Sequence, residues 1–479
     1  MTLDIHWSLF RTEIGLVLLS LGCLILDLFL KDNEKRGTAL ANVAMLGVSF
    51  IFSQLCFQWG DFGLALNGSV AEDGLAYFFK ALFLLAGIFT LFMAREYQAK
   101  LKRGHGEFVL LILFSLTGMS FLAAANDFLL FFVALETLSI SLYIMTAYLR
   151  DDSSSIEAGV KYLILGALST AIFLYGLSFI YGSTGSTSYP EIQSRMLAWK
   201  TLPASFIFGM VLVVSSLGFK IAAVPFQLWV PDIYEGAPTP VTAFLAIGSK
   251  AAGFAVLIRL LLTVFAPAHE KLTILFSILS GLTILYGNLG AIPQTNIKRL
   301  LGYSSIGHAG YLLMGLAAFS YSGKEAVLFY LLAYLFSTAG AFLVIIAVSG
   351  HFKSNEISEF RGLSKRSPLL AAGMFISLLS LAGVPPLAGF FGKFYLLWSG
   401  IKAGLLWLVV IGVLNVITSL YYYLKIVKVM YIEEAPDAAP LFIALDQKIM
   451  QYFAIFAILL LGIYPGPFVK LALAAFLPY

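Results

Sequence analysis

The strongest constraint on the fold is a repeated pattern of apolar stretches, each long enough to cross a lipid bilayer as a helix. About 20 apolar residues span the hydrocarbon layer of a membrane. Most of these stretches lack the strict alternation that a transmembrane β-strand requires, so we predict helices. The chain is therefore predicted to be an all-α integral membrane protein with about 14 transmembrane helices, at residues 14–30, 38–57, 75–94, 107–125, 128–149, 156–181, 203–224, 240–264, 272–292, 299–320, 325–350, 367–400, 404–428 and 449–470.

The composition excludes the main classes of soluble protein. Of the 479 residues, 60% are hydrophobic and only 12% are charged, whereas about 25% of residues are charged in an ordinary soluble protein. A soluble core of this length could not bury so much apolar surface. A soluble enzyme, a nucleic-acid-binding protein and a disordered scaffold are therefore excluded.

The sequence shows no motif that would bind a cofactor or a metal ion. Cys23 and Cys56 do not form the closely spaced pairs that are typical of iron–sulfur and zinc sites. The glycine-rich motifs that bind dinucleotides or nucleotide phosphates are also missing. We expect no cofactor and no metal ion in this chain.

Prolines interrupt the seventh and the twelfth predicted helices. The seventh runs into Val224-Pro225, and the twelfth contains Pro385-Pro386. Proline lacks a backbone donor and clashes with the preceding turn of a helix. In a membrane, the carbonyl groups that it frees need water or protein as partners. Two helices that are broken at comparable places indicate an internal repeat with an ion site between the halves.

Four ionisable residues lie inside predicted helices, namely Glu136, Lys220, Lys250 and Lys393. A charge at the bilayer centre costs about 2.5–3.5 kcal/mol, so such residues usually face a wet cavity or a partner. Burial lowers the proton affinity of a lysine, and a carboxylate within about 4–6 Å restores it. We therefore interpret Lys220 with Glu136 as a proton site that depends on their separation. For Glu136, the alternative is a carboxylate that is only held by a hydroxyl of a neighbouring helix. A structural ion pair is the alternative for each lysine, and extension to the membrane surface is a further one for Lys220 and Lys393.

Two more residues, His308 and Lys161, could belong to the same group, whereas Arg259 is expected to lie outside it. His308 titrates near physiological pH and could relay protons, although a lone histidine in a helix is often a hydrogen-bonded core residue. Lys161 lies about one turn into the sixth predicted helix, where it could relay protons or extend to the surface. Arg259 lies near a helix end and is expected to reach the surface. The recurrence of charged residues along the chain favours a proton relay over a solute pocket.

The distribution of lysine and arginine predicts the orientation of the chain. With 14 helices, the loops that follow odd-numbered helices carry more basic residues than the remaining loops. Basic loops face the cytoplasm in membrane proteins. We therefore expect both termini on the outer side of the membrane.

Three longer motifs carry a resemblance to a known family. They are residues 231–250, which end in Ile247-Gly-Ser-Lys250, residues 304–314 around His308, and residues 380–393, which end in Phe391-Gly-Lys393. These motifs resemble the subunit N family of proton-pumping NADH:quinone oxidoreductase, or respiratory complex I. The resemblance implies two inverted five-helix repeats at 107–264 and 272–428, between a three-helix segment at 1–106 and a C-terminal helix within 429–479.

The resemblance also implies roles for individual residues. Protons are carried in the family by a glutamate on the fifth helix, lysines on the seventh and eighth, and a lysine or glutamate on the twelfth. The matching residues here are Glu136, Lys220, Lys250 and Lys393, and Lys161 and His308 are further candidates. The implied route enters from the cytoplasm beside Lys220 and Glu136, passes Lys250 and leaves by way of Lys393.

The resemblance implies a proton-translocating subunit of NADH:quinone oxidoreductase that performs no redox chemistry itself. NADH, FMN, iron–sulfur clusters and quinone are expected in partner subunits, and the expected location is the bacterial cytoplasmic membrane. The main rival function is that of a cation/proton antiporter subunit. Two further candidates are a membrane subunit of a hydrogenase or of another donor:quinone complex, and a structural scaffold.

Overall fold

The structure is a computed structural model that describes residues 6–30, 36–101, 104–352, 354–435 and 439–476. Most of these residues are helical. Short 3-10 helices lie at Trp7–Phe10, Ala266–Ala268 and Ile357–Phe360, and a π-helical turn lies at Leu245–Ser249. The α-helices of the described residues are α1 (Arg11–Phe29), α2 (Arg36–Phe57), α3 (Gly74–Glu96), α4 (Gln98–Leu101), α5 (His105–Ala124), α6 (Phe128–Thr146), α7 (Ser153–Thr184), α8 (Tyr189–Ala198), α9 (Ala204–Ile221), α10 (Trp229–Gly236), α11 (Thr239–Phe244), α12 (Lys250–Leu262), α13 (His269–Ala291), α14 (Ile297–Ala317), α15 (Tyr321–Phe352), α16 (Leu363–Arg366), α17 (Pro368–Ala382), α18 (Ala388–Lys402), α19 (Leu406–Tyr431), α20 (Leu445–Ile463) and α21 (Gly466–Ala474).

The predicted all-α membrane fold is confirmed. Within the described residues, 12 helices are long and apolar enough to cross a membrane, and each corresponds to one of the predicted spans. Helix α14 occupies one of the two remaining predicted spans. Helices α17 and α18, which have 15 residues each, together occupy the other. The total of 14 spans and the inverted repeats stay predictions.

Both predicted helix interruptions are present. Helix α9 ends before Ala222, whose backbone is left-handed with φ of 62°, and α17 ends before Gly383 with φ of 89°. A left-handed residue is a common helix end, and the prolines that follow it prevent the helix from continuing. A small antiparallel hairpin of β1 (Gly63–Ala65) and β2 (Val70–Glu72) precedes α3 and was not predicted.

The chain forms two compact units. The first contains the described residues up to 222, residues 236–270 and the described residues from 474 on. The second contains residues 223–235 and the described residues of 271–473. Of the predicted site residues, Glu136, Lys161, Lys220 and Lys250 are in the first unit, and His308 and Lys393 are in the second. The four-part division of the chain at 106, 264–272 and 428 stays a prediction.

Glycines allow the helices of each unit to pack closely around these residues. In the first unit, a Cβ added at Gly176 of α7 would lie 2.9 Å from the carbonyl oxygen of Gly209 in α9. In the second unit, a Cβ added at Gly287 of α13 would overlap the backbone of Gly307 in α14. Small residues at such crossings are typical of membrane helices. The first crossing holds α9, which carries Lys220, against α7, and the second holds α14, which carries His308, against α13.

Candidate functional site

Glu136 lies in the middle of α6 and faces α7. Helix α6 begins after Asp127, whose side chain accepts a hydrogen bond from the backbone N–H of Leu129 at 2.7 Å. Thr170 of α7 donates a hydrogen bond to Oε1 of Glu136 at 2.8 Å. A carboxylate at this depth is costly unless it has donors. The hydroxyl of Thr170 therefore holds the carboxylate between the two helices.

Lys220 reaches the same face of α6 from the last turn of α9. Its side chain is buried, and Nζ donates a hydrogen bond to Oγ of Ser139 at 3.1 Å. Ser139 follows Glu136 by three residues and so lies on the same side of α6, since a helix has 3.6 residues per turn. The amine is therefore beside the carboxylate-bearing face, and its hydrogen bond goes to a hydroxyl rather than to the carboxylate. This geometry satisfies the amine without locking it into a permanent ion pair.

A small cavity lies between the amine of Lys220 and the hydroxyl of Thr170, which donates to Glu136. It has a volume of about 10 Å³, which is roughly the space that one water molecule needs. The polar residues that line it are Lys220, Thr170, Ser139, Tyr143, Ser169 and Ser216. The hydroxyl of Thr170 is the one that donates to Glu136. A water molecule held there would have enough polar partners to bridge the amine and the threonine.

Lys250 is the first residue of α12, directly after the π-helical turn Leu245–Ser249. Its side chain is only 2% exposed. One turn later, Gly253 packs on the stem of Lys220: an added Cβ would lie 3.4 Å from Cγ of Lys220 and 2.7 Å from Cγ2 of Ile221. The segment that carries Lys250 is thus in contact with the segment that carries Lys220. Single π-helical turns inside α-helices are frequent at functional sites.

Lys393 in the second unit binds the end of the broken helix α17. In an unbroken helix, the backbone N–H of residue 386 would donate to the carbonyl of Ala382, but residue 386 is proline and has no N–H. Nζ of Lys393 donates to that carbonyl instead, at 2.9 Å, and lies 5.0 Å from the ring centroid of Tyr311. The interruption predicted from the prolines therefore creates the acceptor that holds the buried amine.

His308 is buried between two tyrosines of the second unit. Its Nδ1 contacts the hydroxyl of Tyr330, and its Nε2 lies 3.2 Å from the hydroxyl of Tyr423. Both ring nitrogens therefore have a partner that can either donate or accept a proton. An added Cβ at Gly392 would overlap the ring of Tyr330, so this group packs against the residue that precedes Lys393.

A family profile described as NADH:quinone oxidoreductase/Mrp antiporter, TM, matches residues 125–419 of this chain. The chain belongs to this family. The matched segment contains all six of the predicted site residues. Relatives extend the similarity over nearly the whole chain. NADH-quinone oxidoreductase subunit N of Desulforamulus reducens is 42% identical over 470 residues, which are 98% of each chain.

Solved structures share the fold. A chain of respiratory complex I from Thermus thermophilus is 34% identical with a TM-score of 0.82, and the match covers 97% of this chain and 99% of that one. A chain of an archaeal membrane-bound sulfane sulfur reductase is 25% identical with a TM-score of 0.83, over 98% of this chain and 96% of that one.

Lys161 and Arg259 pair with carboxylates other than that of Glu136. Lys161 pairs with Glu157 on its own helix, at 2.7 Å, and its side chain is 42% exposed, so its role in a relay stays a prediction. The expectation that Arg259 reaches the surface is wrong. Its side chain is buried and donates to both carboxylate oxygens of Asp73, at 2.8 Å each, and to the carbonyl of Ala123. The hydrogen bonds to these partners stabilise the guanidinium group more than hydration at the membrane surface would.

Sequence reasoning missed the tyrosines around His308. Tyr330 and Tyr334 lie one turn apart on α15, and the ring of Tyr334 is 5.0 Å from that of His308. Two tyrosines four residues apart share one face of a helix, which is a signal that could have been used. Nothing local to the sequence, however, indicates which helix that face contacts.

Proposed function

We propose that this chain is a proton-translocating membrane subunit of an NADH:quinone oxidoreductase. The observation that carries the proposal is the group in the first unit, where the buried amine of Lys220 and the hydroxyl of Thr170, which donates to Glu136, line one cavity of about 10 Å³. Such a group can bind and release a proton within a membrane. The membership of the family and the D. reducens relative support the assignment to this enzyme.

The mechanism depends on the separation of Glu136 and Lys220. Two unit charges 4 Å apart attract by about 4 kcal/mol at an effective dielectric constant near 20, and by about half of that at twice the distance. Moving one charge against 100 mV requires about 2.3 kcal/mol. A change of separation from 4 to 8 Å would therefore change the proton affinity of Lys220 by about 2 kcal/mol, which is comparable to the free energy that one proton requires. Water in the cavity passes the proton, and the contact at Gly253 connects this step to the segment of Lys250.

In the second unit, Lys393 and His308 act in the same way. The amine of Lys393 holds a proton beside the carbonyl of Ala382 and the ring of Tyr311. His308 passes protons between the hydroxyl groups of Tyr330 and Tyr423. Each unit thus contributes one group that stores a proton on a lysine.

Redox chemistry belongs to other subunits in this proposal. NADH, FMN, iron–sulfur clusters and quinone bind to partner subunits, and this chain acts as a translocase component without a redox centre. It is a multi-pass protein of the bacterial cytoplasmic membrane, with both termini on the outer side. Energy released by quinone reduction reaches this chain as a change in the Glu136–Lys220 separation.

A cation/proton antiporter subunit is the second candidate, because the family description also covers Mrp antiporters. One preparation distinguishes the two. The complex is purified through a tag on this chain, its subunits are identified, and it is reconstituted into vesicles. We expect NADH-driven proton pumping that an uncoupler abolishes. Sodium-dependent proton exchange without an electron donor, in a preparation that lacks NADH-oxidising subunits, would establish the antiporter instead.

The hydrogen bond from Thr170 to Glu136 gives a graded test. In Thr170→Val the carboxylate loses its donor, and a hydrogen bond to a charged group is worth about 1.5–3 kcal/mol. We expect the pumping rate per complex to fall by roughly tenfold or more. The matched control is Thr137→Val, because the hydroxyl of Thr137 bonds the carbonyl of Val133 in its own helix. Equal pumping by the two variants would remove Thr170 from the mechanism.

A further inference from the structure

A second group of buried charges lies in the first unit, apart from Glu136 and Lys220. Lys80 of α3 is its centre. Its Nζ lies 2.7 Å from Oε1 of Glu13 in α1 and 2.5 Å from Oε1 of Glu72 at the end of β2. None of the three side chains is more than 3% exposed. The hairpin and two helices therefore bring two carboxylates to one ammonium group inside the protein.

The charges of this group do not balance. Two ionised carboxylates and one ammonium leave a net charge of −1 in a buried place. An uncompensated buried charge is unfavourable by several kcal/mol. Two carboxylates that share one site usually avoid this cost because one of them holds a proton. Binding of a single proton makes the group neutral.

Glu13 gives a second, independent indication. Its Oε1 accepts hydrogen bonds from Lys80 and, at 2.8 Å, from Ser120 of α5. Its other oxygen, Oε2, is buried and has no hydrogen-bond partner among the described residues. An ionised carboxylate would leave charge on this oxygen without a donor, which is costly.

The neighbouring charges do not neutralise the group. Asp73, next to Glu72, is held by the guanidinium of Arg259. Arg11 lies 3.5 Å from Asp61, and the hydroxyl of Tyr77 donates to the carbonyl of Asp61. Each of these two pairs is neutral by itself, so neither compensates the excess negative charge of the group.

The electrostatics of Glu72 agree with this picture. Burial raises the pKa of Glu72 to about 7, the charge of Lys80 opposes the rise, and the charge of Glu13 adds to it. A carboxyl group with this pKa exchanges its proton near neutral pH.

We propose that Glu13, Glu72 and Lys80 form a further proton-binding site, in which the two carboxylates share one exchangeable proton beside the ammonium group. On binding, one H⁺ from water adds to a carboxylate oxygen, one carboxylate becomes a carboxylic acid, and the charge of the group changes from −1 to 0. Release reverses each of these changes.

Helix α5 lies between this site and the group around Glu136. A Cβ added at Gly118 would lie 3.3 Å from Cβ of Thr137, beside Glu136. Met119 is the neighbour of Gly248 in the π-helical turn before Lys250, and Ser120 bonds Glu13. Three consecutive residues of α5 therefore contact the proposed site, the helix that carries Glu136 and the π-helical turn that precedes Lys250. A change of charge at the proposed site therefore acts on the helix that contacts these segments.

Infrared difference spectroscopy tests the site in the intact complex. Spectra are recorded in lipid between about pH 5 and pH 9, with isotope-labelled glutamate, and the C=O band of protonated glutamic acid is followed. We expect a band that disappears as the pH rises through about 7. The wild-type complex suffices for this measurement. The absence of any glutamic-acid band that titrates in this range would overturn the proposal.

Variants then assign the band. Glu13→Gln and Glu72→Gln each leave one carboxylate paired with Lys80, so we expect the band to be lost in both. Lys80→Met removes the cation, and a second glutamic-acid band is expected. The control is Glu191→Gln, which removes an exposed carboxylate elsewhere in the first unit. A band that persists unchanged in both Glu13→Gln and Glu72→Gln would also overturn the proposal.

Discussion

Replacement of Lys220 by methionine is expected to slow proton transfer through this chain by at least about a hundredfold. Loss of a positioned proton-transfer group typically costs a factor of 10² to 10⁴. Methionine has a similar length but carries no exchangeable proton. Because a buried charge is costly in a membrane, the variant should still fold and assemble. The measurement is proton pumping and quinone reduction by the assembled complex in vesicles.

Two further substitutions separate proton transfer from a structural ion pair. Arginine keeps the charge but does not release its proton in a protein, so Lys220→Arg is expected to be as inactive as Lys220→Met. Lys200→Met removes an exposed lysine ahead of α9 and serves as the control with normal pumping. Normal pumping by Lys220→Arg would show that only the charge is needed and would contradict the role of Lys220 as a proton carrier.

Replacement of Lys393 by methionine is expected to have a comparable effect in the second unit. The variant loses a proton carrier and also leaves the carbonyl of Ala382 without a donor, because Pro386 cannot supply one. A buried acceptor without a partner costs about 1–3 kcal/mol. We therefore expect loss of pumping together with a lower melting temperature of the complex.

The control for Lys393 lies on the same helix. Lys402 ends α18, where its amine packs on the ring of Trp398, and Lys402→Met should pump normally. Lys393→Arg retains a donor for the carbonyl of Ala382 but not a releasable proton. It should therefore restore stability without restoring pumping. If Lys393→Arg restored both, the defect of Lys393→Met would be structural.

Local chemistry accounts for the features that could be predicted from the sequence. The length of an apolar stretch predicts a membrane-crossing helix, and twelve of the predicted spans correspond to such helices in the described residues. Proline predicts a helix interruption, because the hydrogen bond that it cannot donate would go to a carbonyl of the same helix. The breaks at residues 222–228 and 383–387 follow directly. Charged residues inside apolar runs, such as Glu136 and Lys220, are visible for the same reason.

The partners of these residues could not be predicted, because they lie on other helices. Ser139 and Thr170 are ordinary hydroxyl residues in the sequence, and only the packing of α6, α7 and α9 brings them to Lys220 and Glu136. Lys80 lies two turns into its helix, where a lysine usually extends to the surface. It is buried because Glu13 and the unpredicted hairpin at Glu72 converge on it. Long-range contacts of this kind have no local sequence signal.

The central claim is that Glu136 and Lys220 act as one proton-transfer unit. A double-mutant cycle on the assembled complex tests it most directly, with pumping per electron measured for Glu136→Gln, Lys220→Met and the combination. Substitutions of two residues that act as one unit have non-additive effects on the rate. We predict that the double variant is no more impaired than either single variant. Losses that add, so that the double variant shows the sum of two independent defects, would contradict the account.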